Sequence, residues 1–472
     1  MQLPGLNIGI VADDMTGASD TALQFFLAGL PTHVLLDLNT LEERVSSGLS
    51  INPQTENHVW SLNADSRHLE KGAADKAIRK AVSILRDQYG VENFYKKMDS
   101  TLRGHIAAEC LAMLDELDAD CAVVVPAFPQ EGRRTVGGYQ LVRGMPVERT
   151  QVVRDPLFPV RQSHIPTLLG QATTPEIVGH ISLSTVLHGA GPILVALSEL
   201  IQDGKKLVVI DATSNEDLEQ IALAIDKIRN KAQQQYHVLP CGSAGLAQAL
   251  TKLWADKFLP DSGDSERAAK NKHPLTFVPS PLLIVAGSST DTTRQQVLQL
   301  IENYAYYAQG SNLSVFQLTS EQLLGLVPLT ELMTQINLSL DEENSTVVLA
   351  SALKEDQYAR TLLLAKEHEI PEKQASRMVQ ETLAKVAASV INQSQNQVKL
   401  VLTGGETASK VCQALHSQTL KLLDEAQPSV PVCLDDKGHW IITKSGNFGE
   451  PMLLAKLVRF VKDHETLAAS QA

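Results

Sequence analysis

The amino-acid sequence predicts an α/β protein of two domains, each with a largely parallel sheet flanked by helices. Three observations predict it. The chain has 472 residues, more than one hydrophobic core ordinarily organises. Short apolar, β-branched runs alternate with longer amphipathic stretches along most of the length, which is strand, loop and helix repeated. One stretch breaks the pattern: residues 257–280 are polar and charged and carry three prolines, the composition of a linker. The predicted domains are therefore residues 1–256 and 281–472.

The elements follow in order. In the first half, residues 6–12, 33–38, 58–64, 93–98, 121–126, 207–212 and 236–239 are predicted strands, because β-branched and aromatic residues dominate short runs bounded by polar turns. Residues 72–89, 105–117, 215–231 and 243–254 place apolar side chains at three- and four-residue intervals and are predicted helices. In the second half the same signals predict strands at 282–286, 313–318, 346–350, 399–403 and 440–443, and helices at 290–302, 372–391, 407–415 and 450–461. No short repeat or low-complexity tract interrupts them.

Composition excludes several classes of function. Hydrophobic residues at 43% and charged residues at 20% describe an ordinary globular chain. Aromatics at 4% offer no stacking platform, and a formal charge of −13 opposes a phosphate backbone, so nucleic acid is not an expected partner. No apolar run approaches the roughly 20 residues of a membrane span, and no basic-then-apolar leader opens the chain. The five cysteines, Cys110, Cys121, Cys241, Cys412 and Cys433, form no C-x-x-C pair and resemble no zinc site. They read as buried free thiols, which suits a reducing, cytoplasmic location.

Ligands of open parallel sheets gather at the carboxyl ends of strands, so the polar loops that follow apolar runs carry the functional signal. Asp13 and Asp14 end the first strand, just before Thr16 and Gly17. One aspartate is explained as a helix N-cap; two together also suit one carboxylate accepting hydroxyl hydrogen bonds and the other orienting or deprotonating a hydroxyl. Arg67 follows the third strand. It is either a surface arginine or a bidentate clamp for a carboxylate, which lysine cannot provide. The densest segment is Lys96-Lys97-Met98-Asp99-Ser100-Thr101-Leu102-Arg103-Gly104. Strand alternation turns Lys97 and Asp99 to one side, either as a structural ion pair or as a charge and an acceptor for a hydroxy acid. Residues 126–134, with Arg133 and Arg134, read as a wall loop.

In the second half, Thr403-Gly404-Gly405-Glu406 runs from a strand through paired glycines into a helix. Such a turn is either merely tight or lets backbone N–H groups approach an anion at a helix N-terminus. Gly287-Ser288-Ser289-Thr290 and Lys444-Ser445-Gly446-Asn447-Phe448-Gly449 also follow strands. Three glycine-bearing loops at strand ends predict a nucleotide phosphate site. No P-loop, dinucleotide fingerprint, nucleophile elbow or H-E-x-x-H motif competes with that reading.

Read in order, these motifs resemble those of the four-carbon acid sugar kinases. The resemblance runs through Asp13-Asp14-Met15-Thr16-Gly17, Asp65-Ser66-Arg67, the segment from Lys97 to Gly104, Pro126-Ala127-Phe128-Pro129, Gly287-Ser288, Thr403-Gly404-Gly405-Glu406-Thr407 and the loop from Lys444 to Gly449. It implies an amino-terminal domain that binds the sugar acid, a carboxy-terminal domain that binds ATP with Mg²⁺, and an active site in the interdomain cleft, which the linker lets close. Carried over by position, Asp14, Arg67, Lys97, Met98, Asp99 and Ser100 contact the substrate, joined by Asp13 and Arg103 from the pocket chemistry. Ser288, Thr403, Gly404, Gly405, Glu406 and Gly449 contact ATP, joined by Gly446 from the third loop. Many members carry aspartate after the paired glycines where this chain has Glu406, and no metal-ligand set is assigned.

Members of the family divide among D-threonate, D-erythronate and 3-oxo-tetronate kinases, and residues 154–163 are similar to the D-threonate members. The expected reaction is transfer of the ATP γ-phosphoryl group to the 4-hydroxyl of D-threonate, giving 4-phospho-D-threonate and ADP. Kinases for the other two acids, a non-catalytic two-lobed sugar-acid sensor and a dehydrogenase with a degenerate cofactor motif are the alternatives. Asp14 and Asp99 are the catalytic candidates. Asp13, Asp14 and Asp99 all stay open as the base, with Asp14 preferred, and so does assembly into a homo-oligomer.

Overall fold

The computed structural model describes residues 7–38, 41, 58–155, 158–229, 236–258, 275, 277–287, 290–308, 311–342, 344–354 and 356–471. The chain divides into two compact units, Met1–Asn271 and Lys272–Ala472.

The first unit holds β1 (Ile8–Ala12), β2 (Thr32–Leu35), β3 (Val59–Asn63), β4 (Asn93–Lys97), β5 (Cys121–Val125), β6 (Arg133–Val136), β7 (Tyr139–Val142), β8 (Met145–Pro146), β9 (Val178–Ile181), β10 (Leu207–Ile210) and β11 (Val238–Gly242). Eight of them form a sheet in the order β2-β3-β1-β4-β11-β5-β10-β9, with every neighbouring pair parallel. Its central strands are buried on both faces, as a parallel sheet covered by helices requires. Alternation divides their side chains between two cores. Val11, Ala122 and Val124 join helices Lys71–Tyr89 and Ile106–Leu117 on one face. Ile8, Ile10, Val123 and Val125 join helices Ala190–Gln202, Asn215–Arg229 and Ala244–Phe258 on the other.

The order of strands places a crevice. From β1 the chain runs outward to β2 and β3, then crosses back to β4 on the opposite side of β1. The carboxyl ends of β1, β3 and β4 therefore open around a point where the winding reverses, the usual ligand position of such sheets.

The second unit holds β12 (Leu282–Ala286), β13 (Leu313–Gln317), β14 (Thr346–Ala350), β15 (Lys399–Thr403), β16 (Thr419–Gln427), β17 (Val430–Asp435) and β18 (Trp440–Lys444). Their order is β13-β14-β12-β15-β18-β17-β16. The first five are parallel, and the hairpin β16–β17 runs antiparallel beside β18. The winding reverses at β12, between β14 and β15. At the opposite end of this sheet, Lys399 opens β15 and donates from Nζ to Ser280 O at 2.9 Å and Ser280 Oγ at 2.6 Å, and it pairs with Glu465. Glu465 also holds Lys462 at 3.2 Å.

Several features depart from the expectation. The helix Met15–Leu27 was not among the predicted ones, because nearly all of its residues are buried and no polar stripe marks an outer face. β9 has four residues including a glycine and a histidine, too little for a strand signal. The wall loop at 126–134 is instead a short turn of 3₁₀ helix, Pro129–Glu131, followed by the hairpin β6–β7. Much of the expected linker lies outside the described residues; of its remainder, Leu275 and Phe277 are buried in the core of the second unit. All five cysteines are buried and free. Among the described residues no helix is long and apolar enough to cross a membrane.

Candidate active site

In the first unit, the sharp turn after β1 presents Asp13 and Asp14. Asp14 is the N-cap of helix Met15–Leu27: its Oδ1 accepts from Gly17 N at 2.8 Å and its Oδ2 from Thr16 Oγ1 at 2.9 Å. Arg67 reaches from the β3 end and bonds both aspartates, Nε to Asp13 Oδ2 at 2.8 Å and Nη1 to Asp14 Oδ2 at 2.7 Å. Its Nη2 makes no hydrogen bond among the described residues. Asp13 Oδ1 is buried and likewise unbonded, an acceptor that a buried site ordinarily satisfies. A glycine is needed at 104, where φ is 92° and a Cβ would lie 3.0 Å from Asp13 Oδ2.

The β4 end brings the rest. Lys97 Nζ lies 3.8 Å from Asp20 Oδ1 and makes no hydrogen bond among the described residues. It sits over Gly17, where an added Cβ would come 2.8 Å from Lys97 Nζ and 2.6 Å from Asp14 Oδ1. Asp99 accepts from Thr101 Oγ1 at 2.5 Å, from Arg103 Nε at 2.7 Å and from Arg103 N at 3.3 Å, all at Oδ2. Arg103 also reaches Asp155 at 3.2 Å. Asp99 and Lys97 therefore do not form the ion pair that the sequence left open. Ser100 is half-buried with a free hydroxyl among the described residues, and its carbonyl accepts from Gln140 Nε2 at 2.7 Å. Met98 is a departure: its side chain lies in the core and its N–H donates to Gly242 O at 2.9 Å, so the contact expected of it is not one its side chain makes. Lys96 points to the other side of the strand, as alternation demands, and pairs with buried Glu109 at 2.7 Å, which Ser66 Oγ also meets at 2.8 Å.

The three aspartates differ electrostatically. Burial pushes the Asp13 carboxyl up more than Arg67 pulls it down. Burial also opposes ionisation of Asp14, but Arg67 and Lys97 outweigh it and hold the carboxyl below its ordinary value. Asp99 is likewise desolvated, yet Arg103 and Arg67 hold it far below the carboxylate range. Burial raises Asp20 to about 6 despite Lys97, and burial with Arg67 lowers His68 to about 4. The sequence assigns no role to Asp20, Glu109, His68 or Gln140. Asp20 is in the second turn of a helix that carries no signal, and Gln140 sits in a hairpin whose strands carry none either.

In the second unit, the adjacent ends of β12, β15 and β18 align through the pairs Ala286–Thr403 and Thr403–Lys444. The three glycine loops therefore begin side by side, at Gly287, Gly404 and Ser445. Gly404 has φ 92° and is the N-cap of helix Gly405–Ala414, whose first N–H groups have no partner within the helix. Glu406 lies half-buried in its first turn. Thr403 is buried, with its hydroxyl unbonded. Gly446 O accepts from both Thr290 Oγ1 and Thr293 Oγ1 at 2.9 Å. Gly449, with φ 89°, would bring a Cβ to 2.3 Å from Leu453. Ser288 lies outside the described residues. No group of three His, Cys, Asp or Glu that could hold a metal exists among the described residues. The backbone donors fit a phosphate chain, and a nucleotide's Mg²⁺, held mostly by phosphates and water, would need no such cluster; Glu406, in the first turn of the helix, is a carboxylate that could meet it.

Comparison with known proteins agrees with this division. A family model described as a sugar-binding N-terminal domain matches residues 8–250, and one described as a nucleotide-binding C-terminal domain matches residues 283–454. A D-erythronate kinase of Heliobacterium modesticaldum is 31% identical over 436 residues, covering 89% of this chain and 88% of its own. A D-threonate kinase of Bordetella bronchiseptica is 30% identical over 468 residues, covering 97% and 98%. A crystal structure from Salmonella typhimurium LT2 shares the fold with a TM-score of 0.72 at 24% identity, covering 96% of this chain and 98% of that one.

Proposed function

This chain belongs to the four-carbon acid sugar kinase family, and we propose that it phosphorylates the 4-hydroxyl of D-threonate, giving 4-phospho-D-threonate and ADP. The observation that carries the reading is the set of unbonded polar groups at the switch point of the first sheet. Lys97 Nζ and Arg67 Nη2 are cations with donors to offer, Ser100 Oγ is a free hydroxyl, and Asp13 Oδ1 is a buried acceptor without a donor. A small polyhydroxy carboxylate supplies the complement: an anion for the first two and hydroxyls for the others.

Phosphoryl transfer depends mostly on positioning and charge neutralisation. Lys97 and Arg67 hold the substrate carboxylate, and Asp13 Oδ1 receives a substrate hydroxyl. Asp14, the more exposed of the two aspartates on Arg67 and ionised at neutral pH, takes the proton of the attacking hydroxyl. Asp99 acts by locking the turn that carries Ser100, since Arg103 and Thr101 occupy it. In the second unit the N–H groups of the glycine turns bind the ATP phosphates; a Mg²⁺ bound with them would supply charge neutralisation for the transferring group, with Glu406 as the carboxylate that could hold it. The D-threonate assignment rests on the family resemblance of residues 154–163; D-erythronate and 3-oxo-tetronate are the alternative acceptors.

A coupled ADP-release assay over a panel of four-carbon acids tests this. D-threonate should give the highest kcat/KM, and no activity on any of them would remove the kinase reading. In the same assay Lys97→Ala should raise KM for the acid by at least about tenfold, the loss of one charge-assisted contact, and leave KM for ATP nearly unchanged. Asp14→Asn keeps the helix cap and should lower kcat by about 10²-fold or more, as removal of a general base does.

A further inference from the structure

Resting on that kinase reading, we infer that Lys444 is the cation that receives the nucleotide's phosphate chain in the second unit. Lys444 ends β18 and is 1% exposed. No carboxylate lies within ion-pair distance of it among the described residues, and its Nζ makes a single hydrogen bond, to Thr293 Oγ1 at 3.4 Å. The other buried lysines each have a carboxylate within 4 Å: Lys96 has Glu109, Lys399 and Lys462 have Glu465, and Lys97 has Asp20 at 3.8 Å. Burying a cation without a counter-charge is costly, and here the surroundings add to the demand for an anion. Thr293 stands in the first turn of helix Asp291–Tyr307, and Thr403, the β15 partner of Lys444, leads into helix Gly405–Ala414. Both helices turn their positive ends toward this corner, where an anion is favoured and a second cation is not.

The loop after Lys444 is oriented for the same ligand. Its carbonyls are pinned to helix Asp291–Tyr307: Gly446 O by Thr290 and Thr293, and Phe448 O by Gln296 Nε2 at 2.9 Å. In a planar trans peptide the following N–H points the opposite way. The N–H groups of Asn447 and Gly449 are thus turned away from that helix, and neither makes a hydrogen bond among the described residues. One ammonium and two backbone donors at the carboxyl end of β18, one strand beyond the switch point of this sheet, match the charge and acceptors of a phosphate chain.

The protonation of Lys444 supplies a readout. Burial lowers it to about 7. The charged groups on the surrounding elements do not act on it: Asp291 pairs with Arg294 and Glu450 with Lys456, while Glu406, Lys410 and Asp435 exert no pull, burial being the single cause. Above pH 7 the free chain therefore holds Lys444 mostly neutral, and a bound phosphate restores the proton. Titration calorimetry of the full chain with ADP, between about pH 7.5 and 9.5, tests the assignment. Wild-type Kd should rise by about tenfold per pH unit, the slope for one proton taken up. Lys444→Gln should bind ADP at least about 30-fold more weakly at pH 7.5, with a flat profile, as loss of a buried charge-assisted contact requires. A folded Lys444→Gln that binds ADP as tightly as wild type overturns the inference. If that variant does not fold, the wild-type series decides, a flat Kd overturning it. A wild-type chain that binds ADP at no pH removes the nucleotide reading itself and this assignment with it, an outcome distinct from ADP binding that ignores Lys444.

Discussion

Arg67 shows how one residue is redefined by its neighbours. The sequence offered a guanidinium for a substrate carboxylate; in the fold two of its nitrogens already hold Asp13 and Asp14, so only Nη2 is left without a partner among the described residues. Beside Lys97, a second acid besides Asp13 is left in an unfavourable state. Asp20 is raised from 3.8 to about 6, chiefly by burial. The folded chain thus holds that proton more tightly than the unfolded chain. The cost of ionising Asp20 is fully present above pH 6 and absent below about pH 4. Asp20→Asn should accordingly melt higher than wild type at pH 8, with the gap closing by pH 4 in thermal scans. A gap that does not depend on pH would show that Asp20 acts by packing rather than by charge. Asp20 faces Lys97, so stability gained there is expected to lower activity, a common exchange at functional sites.

At the scale of elements, the strand ends were legible because a parallel strand buried on both faces reads as a short apolar run, and its first polar residue marks the carboxyl end. Asp13, Arg67, Lys97, Gly404 and Lys444 were all placed at such ends. The helix Met15–Leu27 was not legible, yet it positions two of the groups at the site, by its N-cap Asp14 and by Gly17. Glycine inside a helix ordinarily gives way to alanine with a gain of about 1 kcal/mol. Here the methyl would displace Asp14 Oδ1 and Lys97 Nζ, both within 3 Å of it. Gly17→Ala should therefore keep its melting temperature within a few degrees, since flexible side-chain ends move cheaply, while kcat/KM for the acid falls at least about tenfold. Unchanged kinetics would mean that the positions of these two side chains are not critical. The hairpin β6–β7 carries no strand signal for a comparable reason: its register comes from tertiary partners, Asp211 receiving Gly137 N at 2.7 Å and Gly138 N at 2.9 Å, and Gln140 clamping Ser100 O.

Across the whole molecule, each unit gathers its candidate binding groups at one end of its strands. In the second unit the other end is closed by buried charge, where Lys399, Ser280, Lys462 and Glu465 tie the residues before β12, the start of β15 and the last helix together. Removing one partner of a buried pair strands the other, at about 3–5 kcal/mol. Glu465→Ala should speed hydrogen exchange throughout β12 and β15 and leave β1 and β4 of the first unit unchanged; equal acceleration in both would show that the two units unfold as one. By itself the sequence determined two α/β series, the strand ends that carry polar loops, the kinds of group in those loops and the family they resemble. These are local properties, set by side-chain period and by composition over a few residues. The tertiary structure alone decided how those groups are partnered: that Arg67 is shared by Asp13 and Asp14 across more than 50 residues of chain, that Asp99 is occupied, that Met98 faces the core, and that Lys444 is buried with no acid in ion-pair reach among the described residues. Partnership and burial depend on residues far apart in the chain, and the strength of every charge at these sites depends on both.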